Sequence, residues 1–230
     1  MSPFNRNFFS TMIRGTLVVG LVLLWSGCGV TGGTLPKGDP YATLLPAGTN
    51  VVDSTAPFSA ANLKQETAYL VVGENFVNYV DVWNKIRKIA EQDGNLPFSQ
   101  AAMLEMSDRW SPARTTGMVI ASLQKHFKNI VAVDDLADAR TKGAKWIVMF
   151  DHAYIQPSWM TTTWTNTTTI DLMDNNFRRV AGGRFSELKH HDVGAGGAEA
   201  LRITRLLGED VQRSVNAAIA QFDAKMIASR

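Results

Sequence analysis

The order of apolar patterns in the middle of the chain constrains the fold most. Ala113 to Phe127 carries apolar residues at helical spacing, and Ile130 to Val133 is a short apolar run typical of a buried strand. Asp134 and Asp135 then open a second helix, because carboxylates favour its positive end, and Lys145 to Ile155 follows as a long strand. A helix–strand–helix–strand order needs crossover connections, so we predict a partly parallel sheet.

The flanking segments complete the predicted fold. Thr67 to Phe76 is interpreted as a first strand, and residues 81–92 as an amphipathic helix. Thr161 to Asp174 and Phe177 to Leu188 are predicted to pair as a hairpin, and a helix over residues 201–228 closes the chain. The expected fold class is α/β: a two-layer sandwich with a mixed sheet, a helix–strand–helix–strand unit, a β-hairpin and a C-terminal helix.

Three local patterns refine this picture. Asp174, Asn175 and Asn176 predict the hairpin turn, since asparagine tolerates positive φ. The pair Gly182 and Gly183 predicts a bulge in the returning strand. The last helix carries an apolar stripe expected to pack on the sheet: Leu207, Val211, Val215, Ala218, Phe222 and Met226.

Residues 1–27 have the pattern of a cleaved export signal. Arg6 and Arg14 give a positive start without acidic residues, and Thr16 to Trp25 is a continuous apolar run. That run is about half the ~20 residues that span a bilayer as a helix. We therefore expect this segment to direct export and to be removed.

Cys28 is the only cysteine, and it follows two small residues. Leu24 to Cys28 resembles the lipobox of bacterial lipoproteins: Ser26 and Gly27 match its small residues, whereas Trp25 stands where an aliphatic residue is usual. In that family the thiol is diacylated and the chain is cut before it, and two or three acyl chains anchor stably. The alternative is an ordinary buried or free cysteine, although a lone cysteine forms no internal disulfide. The resemblance implies attachment to the lipid bilayer through acylated Cys28.

The net charge of the mature chain and the residue after Cys28 limit the expected partners and location. Removing residues 1–27 lowers the 23 basic residues to 21, equal to the 21 acidic residues, so we expect no nucleic-acid partner. Gly29 follows the cysteine, whereas in enterobacterial lipoproteins an Asp at that position favours the inner membrane. Where that sorting rule applies, the resemblance implies the periplasmic face of the outer membrane; the inner membrane remains open.

A change of composition separates two further regions. Residues 28–61 are rich in glycine and proline and hold no apolar period, which predicts a tether with a reach of roughly 30 Å. The alternative is an extended stretch packed on the domain through residues such as Val51 and Val52. Residues 62–230 are predicted to form one globular domain, which we expect to fold without the tether because its apolar patterns begin after residue 66.

Two motifs carry a resemblance of layout over residues 67–227. Leu136 to Ala139 leads into Gly143 to Val148, and Ile170 to Asp174 leads into Arg178 to Val180. This layout resembles the two-layer domains of the penicillin-binding-protein activator and curli-secretion lipoproteins, and more closely those of uncharacterised envelope lipoproteins of this size. Those families act mainly by binding other envelope proteins. The resemblance implies an accessory, non-enzymatic protein with such partners, or a structural subunit of a membrane-associated secretion or transport assembly.

Clusters of titratable residues give little support for catalysis. His190, His191 and Asp192 are consecutive, with neither paired cysteines nor a zinc motif, so we predict no metal site and no cofactor. Asp151 and His152 are adjacent, but the chain has no GxSxG nucleophile motif. The alternative is an envelope hydrolase or a metal- or ligand-binding domain using His152 and His190, which would require a pocket joining them with Asp151.

Trp159 and Trp164 are the candidate partner-binding residues. Tryptophan is enriched at interface hot spots, and strand edges recruit partner strands. The two side chains and the threonines between them therefore predict an exposed binding edge. The alternative is that one or both tryptophans cover the end of the sheet.

Overall fold

The computed structural model describes residues 51–55, 58–92, 104–105, 108–155, 163–192 and 197–229. The strands are β1 (Val52–Asp53), β2 (Thr67–Val72), β3 (Asn129–Ala132), β4 (Trp146–Ile155), β5 (Thr163–Asp174) and β6 (Arg178–His190). The α-helices are α1 (Glu74–Gln92), α2 (Pro112–Leu123), α3 (Leu136–Thr141) and α4 (Gly197–Ala228), and a 3₁₀ turn spans Leu63–Gln65.

The strands form one mixed sheet in the order β1-β6-β5-β4-β2-β3. β2 is parallel to both β3 and β4, because helical connections return the chain to the end of the sheet where each strand begins. β5 runs antiparallel to both of its neighbours, β4 and β6, and β1 runs parallel to β6. This arrangement confirms the predicted α/β class and its partly parallel sheet.

Alternating residues of the central strands divide the core between the two sheet faces. On one side, which we call the helix face, Val148, Phe150 and Ile170 are fully buried in the cluster that includes residues of α1, α2 and α4. On the opposite face, Ile147 and Met149 pack with residues of the short α3. Both faces of β4 are therefore apolar over this stretch, as expected for a central strand.

The C-terminal helix confirms its predicted stripe. All six residues of the stripe are buried. At Gly183 of β6, an added Cβ would overlap the backbone of Ala218 and Phe222, so the helix packs directly against the strand backbone. The first helix departs from its prediction, since it begins at Glu74 rather than near residue 81.

The hairpin contains two corrections. The register shifts after Leu172, which pairs with Ala181, while Met173 pairs with Arg179. The irregularity therefore lies beside Val180, and Gly182 and Gly183 pair in regular register. The positive φ of the turn belongs to Phe177, at 59°, rather than to an asparagine.

The described part of the predicted tether packs on the domain. Val52 and Asp53 pair with Arg178 and Arg179, and the backbone N–H of Ala60 donates to the carbonyl of Ser229 at 2.8 Å. The predicted boundary at residue 61 therefore falls inside the folded unit. Cys28 and the export signal lie outside the described residues. Within the described ranges, no helix combines the length and apolar character needed to cross a membrane.

Candidate functional site

The outer side of β6 is an open sheet edge in the described structure. β6 spans thirteen residues, yet β1 pairs only with Arg178 and Arg179. Between Ala181 and Lys189, no strand in the described ranges pairs with this side. Unpaired backbone groups of an edge strand form a template for another strand.

The hydrogen bonding of Arg184 defines which residues face outward. Its backbone N–H donates to the side-chain oxygen of Gln221 at 3.2 Å, on the side away from β5. In an antiparallel pair, the N–H and C=O of one residue point the same way and alternate along the strand. Ser186 and Leu188 therefore also direct both backbone groups toward the open edge.

The side chains along this edge alternate between the two faces. Arg184, Ser186 and Leu188 are exposed on the face opposite the helices, and Leu188 keeps 68% of its surface accessible. Ser186 is hydrogen-bonded to Thr167 of β5 at 2.8 Å. On the helix face, Glu187 contacts Lys189 at 3.3 Å and is therefore partly neutralised. An exposed leucine beside backbone groups that no described strand pairs is typical of a strand-binding edge.

Trp164 does not belong to an exposed edge. Its side chain is only 3% accessible, and its ring packs 5.4 Å from that of His191. Its strand position pairs with Lys189 of β6, so β5 is covered on this side and cannot be the edge. Trp164 therefore agrees with the alternative prediction, in which a tryptophan covers the end of the sheet. Trp159 lies outside the described residues.

Asp151 and His152 point to opposite faces of β4 and do not form an acid–base pair. The Asp151 carboxylate accepts hydrogen bonds from the Asn75 side chain at 2.7 Å and from the Phe76 backbone N–H at 3.0 Å. Burial raises the pKa of Asp151, while these hydrogen bonds oppose the rise. Its role is to hold the first turn of α1 against the sheet.

His152 is fully buried on the helix face. Its Nδ1 lies 2.9 Å from the hydroxyl of Thr168, and the ring of Tyr79 packs edge-on at 5.3 Å. Burial lowers the pKa of His152 to about 4, so the imidazole is neutral at physiological pH. A neutral enclosed imidazole is a structural hydrogen-bonding group in this setting.

His190 and His191 lie far from His152. Thr163, opposite His190, precedes Thr168, opposite His152, by five strand residues, or about 17 Å. The structure therefore does not bring His190 together with Asp151 and His152. His191 bonds instead to the buried carboxylate of Asp210 at 2.6 Å. The described part of the chain holds no group of three residues placed to ligate a metal ion.

A buried polar cluster beneath α4 was not predicted from the sequence. Thr168 and Ser214 are buried and lie 2.7 Å apart through their hydroxyls, and Asn166 is fully buried two residues earlier on β5. Among the residues that the structure describes, the side-chain amide of Asn166 has no hydrogen-bond partner. The only sequence signal is an asparagine inside a threonine-rich strand, where asparagine is disfavoured.

Comparison with known proteins leaves the family open. Neither a protein-family model nor a curated protein matches the sequence. Among solved structures, a point variant of the PelC dodecamer from Paraburkholderia phytofirmans is 11% identical with a TM-score of 0.27, covering 71% of this chain and 94% of that one. A second crystal form of the PelC dodecamer is 10% identical with the same TM-score, covering 70% and 94%. A TM-score this low does not establish a shared fold.

Proposed function

We propose that this chain is a lipid-anchored accessory protein of the bacterial envelope that captures partner proteins at the open edge of β6. The observation that carries the proposal is the unpaired stretch of β6 with its exposed Leu188. The lipobox-like segment ending at Cys28 supports the location. The proposed partners are other envelope proteins that present an extended segment.

Strand addition suits this edge for a physical reason. Backbone hydrogen bonds to an incoming strand supply affinity, and alternating side chains supply specificity. Arg184 and Leu188 lie on the same exposed face, so the fitting segment carries an acidic residue and an apolar residue at positions four apart. Glu187 and Lys189 already contact each other, and they therefore contribute less to selecting a partner.

The anchor and the edge are compatible in distance. β1 begins 24 residues after Cys28, and a chain of that length spans at most about 80 Å. A partner in the same membrane, or close to it, is therefore within reach. Intact mass of the purified protein tests the anchor directly, since acylation of Cys28 adds the mass of the lipid.

Proline at position 188 tests the edge itself. The Leu188 N–H points outward, so Leu188→Pro removes an edge donor and obstructs an incoming strand without removing a bond to β5. We expect this variant to lose partner capture while keeping its melting temperature within a few degrees. Leu188→Ala is the matched control, because it keeps the donor and loses only apolar contact.

Copurification from crosslinked envelopes provides the measurement. Leu188→Ala should retain most of the capture, whereas Leu188→Pro should retain little. Equal capture by Leu188→Pro and the wild-type protein would show that partners do not add a strand at β6.

A further inference from the structure

A buried polar cluster lies on the helix face, where β4 meets β5. Tyr154 pairs with Asn166, and His152 pairs with Thr168. The Asn166 and His152 side chains are therefore diagonal neighbours on one face, at the roughly 7–8 Å spacing of such positions or less. Both residues are completely buried.

These two side chains have hydrogen-bonding atoms that no group in the described part of the chain satisfies. Within the described residues, neither the amide nitrogen nor the amide oxygen of Asn166 has a hydrogen-bond partner, and Nε2 of His152 has none. An asparagine amide carries two donor hydrogens and one acceptor oxygen, so several hydrogen-bonding positions are unfilled close to one another. Buried polar groups in native proteins are almost always satisfied, because an unsatisfied group bears its full desolvation cost.

The surroundings of the cluster are aromatic. The ring of Tyr79 from α1 contacts His152, and Trp110 packs 5.2 Å from Tyr154. The Tyr79 hydroxyl is itself satisfied, since it donates to the carbonyl of Trp110. Polar groups of the sheet therefore form the floor of the cluster, Ser214 contributes a hydroxyl from α4, and aromatic rings lie beside it.

We propose that Asn166 and His152 form the floor of an internal site that holds a small uncharged guest able to both donate and accept hydrogen bonds. Water and a small neutral organic molecule share this chemistry. The buried Asp210 carboxylate of α4, whose charge acts on Tyr154, already contacts His191 and Arg213, and the His152 imidazole is neutral, so a charged guest would find no free counter-charge among the described residues here. This inference is independent of the function proposed for β6.

NMR on the full-length protein identifies the guest. If water occupies the site, the side-chain amide protons of Asn166 show cross-relaxation with long-lived water. If a small organic molecule occupies it, acetamide raises the melting temperature of the wild-type protein, whereas acetate and methylammonium ions do not. Either result supports the site and tells the two sources apart. Absence of both effects would overturn the proposal.

The sign of a stability change provides an independent test. Asn166→Leu removes the amide at similar volume. If a guest satisfies that amide, the variant loses the hydrogen bonds between the amide and the guest, and His152 loses its bound guest as well. The melting temperature therefore falls by a few degrees. If no guest is bound, the variant replaces unsatisfied groups with apolar surface, and the melting temperature rises, which would contradict the proposal. Asn78→Leu, at an exposed position of α1, is the matched control and should change little.

Discussion

At the residue scale, two neighbouring side chains acquire opposite roles from the faces they occupy. Asp151 accepts two hydrogen bonds at the start of α1, whereas His152 is enclosed beside Thr168 and Tyr79. Both were catalytic candidates in the alternative interpretation of the sequence. Their strand alternation turns their functional groups apart, so their adjacency in sequence does not make them a pair.

The enclosed imidazole of His152 predicts a pH dependence of stability. Its pKa is about 4 in the folded state, below the usual 6.5, so folding disfavours its charged form. The stability it contributes is complete above pH 6.5 and is lost as the pH falls toward 4. At pH 4.5 the loss amounts to about 2–3 kcal/mol.

Urea unfolding at pH 7 and pH 4.5 measures this loss. His152→Gln keeps a neutral side chain and should lack that part of the decrease. Because the two proteins share every other titrating group, the difference between them isolates the histidine. An equal decrease in both would show that His152 is not responsible.

At the element scale, sequence patterns predicted what depends on local spacing. The apolar stripe of α4 and the succession of β3, α3 and β4 follow from periodicity alone. The start of α1 does not, because its first turn is held by Asp151, which is 77 residues beyond Glu74 in the chain. The open edge of β6 was also hidden, since strand order depends on pairings that periodicity leaves undetermined.

The glycine pair of β6 is a second feature that depends on a contact distant in sequence. A bulge was predicted from Gly182 and Gly183, yet the space at Gly183 is taken by the backbone of α4. Gly183→Ala should therefore destabilise the protein by roughly 1–3 kcal/mol, because the helix must move away from the sheet.

Gly117→Ala is the matched control for that substitution. Gly117 lies in α2 with no neighbouring atom within 4 Å of an added Cβ. Alanine there should stabilise the protein by about 0.5–1 kcal/mol, since it favours the helix. Thermal unfolding of both variants checks the pair. A neutral Gly183→Ala would contradict direct packing of α4 on the strand backbone.

At the scale of the whole molecule, the chain before the first long strand belongs to the domain. β1 extends the sheet beside β6, Phe58 packs edge-on against Trp146 at 5.6 Å, and Ala60 is hydrogen-bonded to Ser229. This matches the alternative of an extended stretch packed on the domain; the tether was favoured over it because glycine and proline interrupt the apolar pattern.

Truncation tests this extension of the domain. A protein beginning at Asn62 loses β1 and the contacts of Phe58 and Ala60, so we expect its stability to fall by about 2–4 kcal/mol relative to one beginning at Val51. Denaturant unfolding of the two proteins provides the comparison. Equal midpoints would show that residues 51–61 do not contribute to the fold.

Photo-crosslinking in intact cells tests the central claim, capture of envelope proteins at the edge of β6, most directly. A photoreactive residue at Ser186 lies on the open edge, whereas one at Asn78 lies on an exposed position of α1. The account predicts a discrete membrane-associated adduct from position 186, and none from position 78. Adducts from position 78 with none from position 186 would contradict it and move the binding surface to the helices.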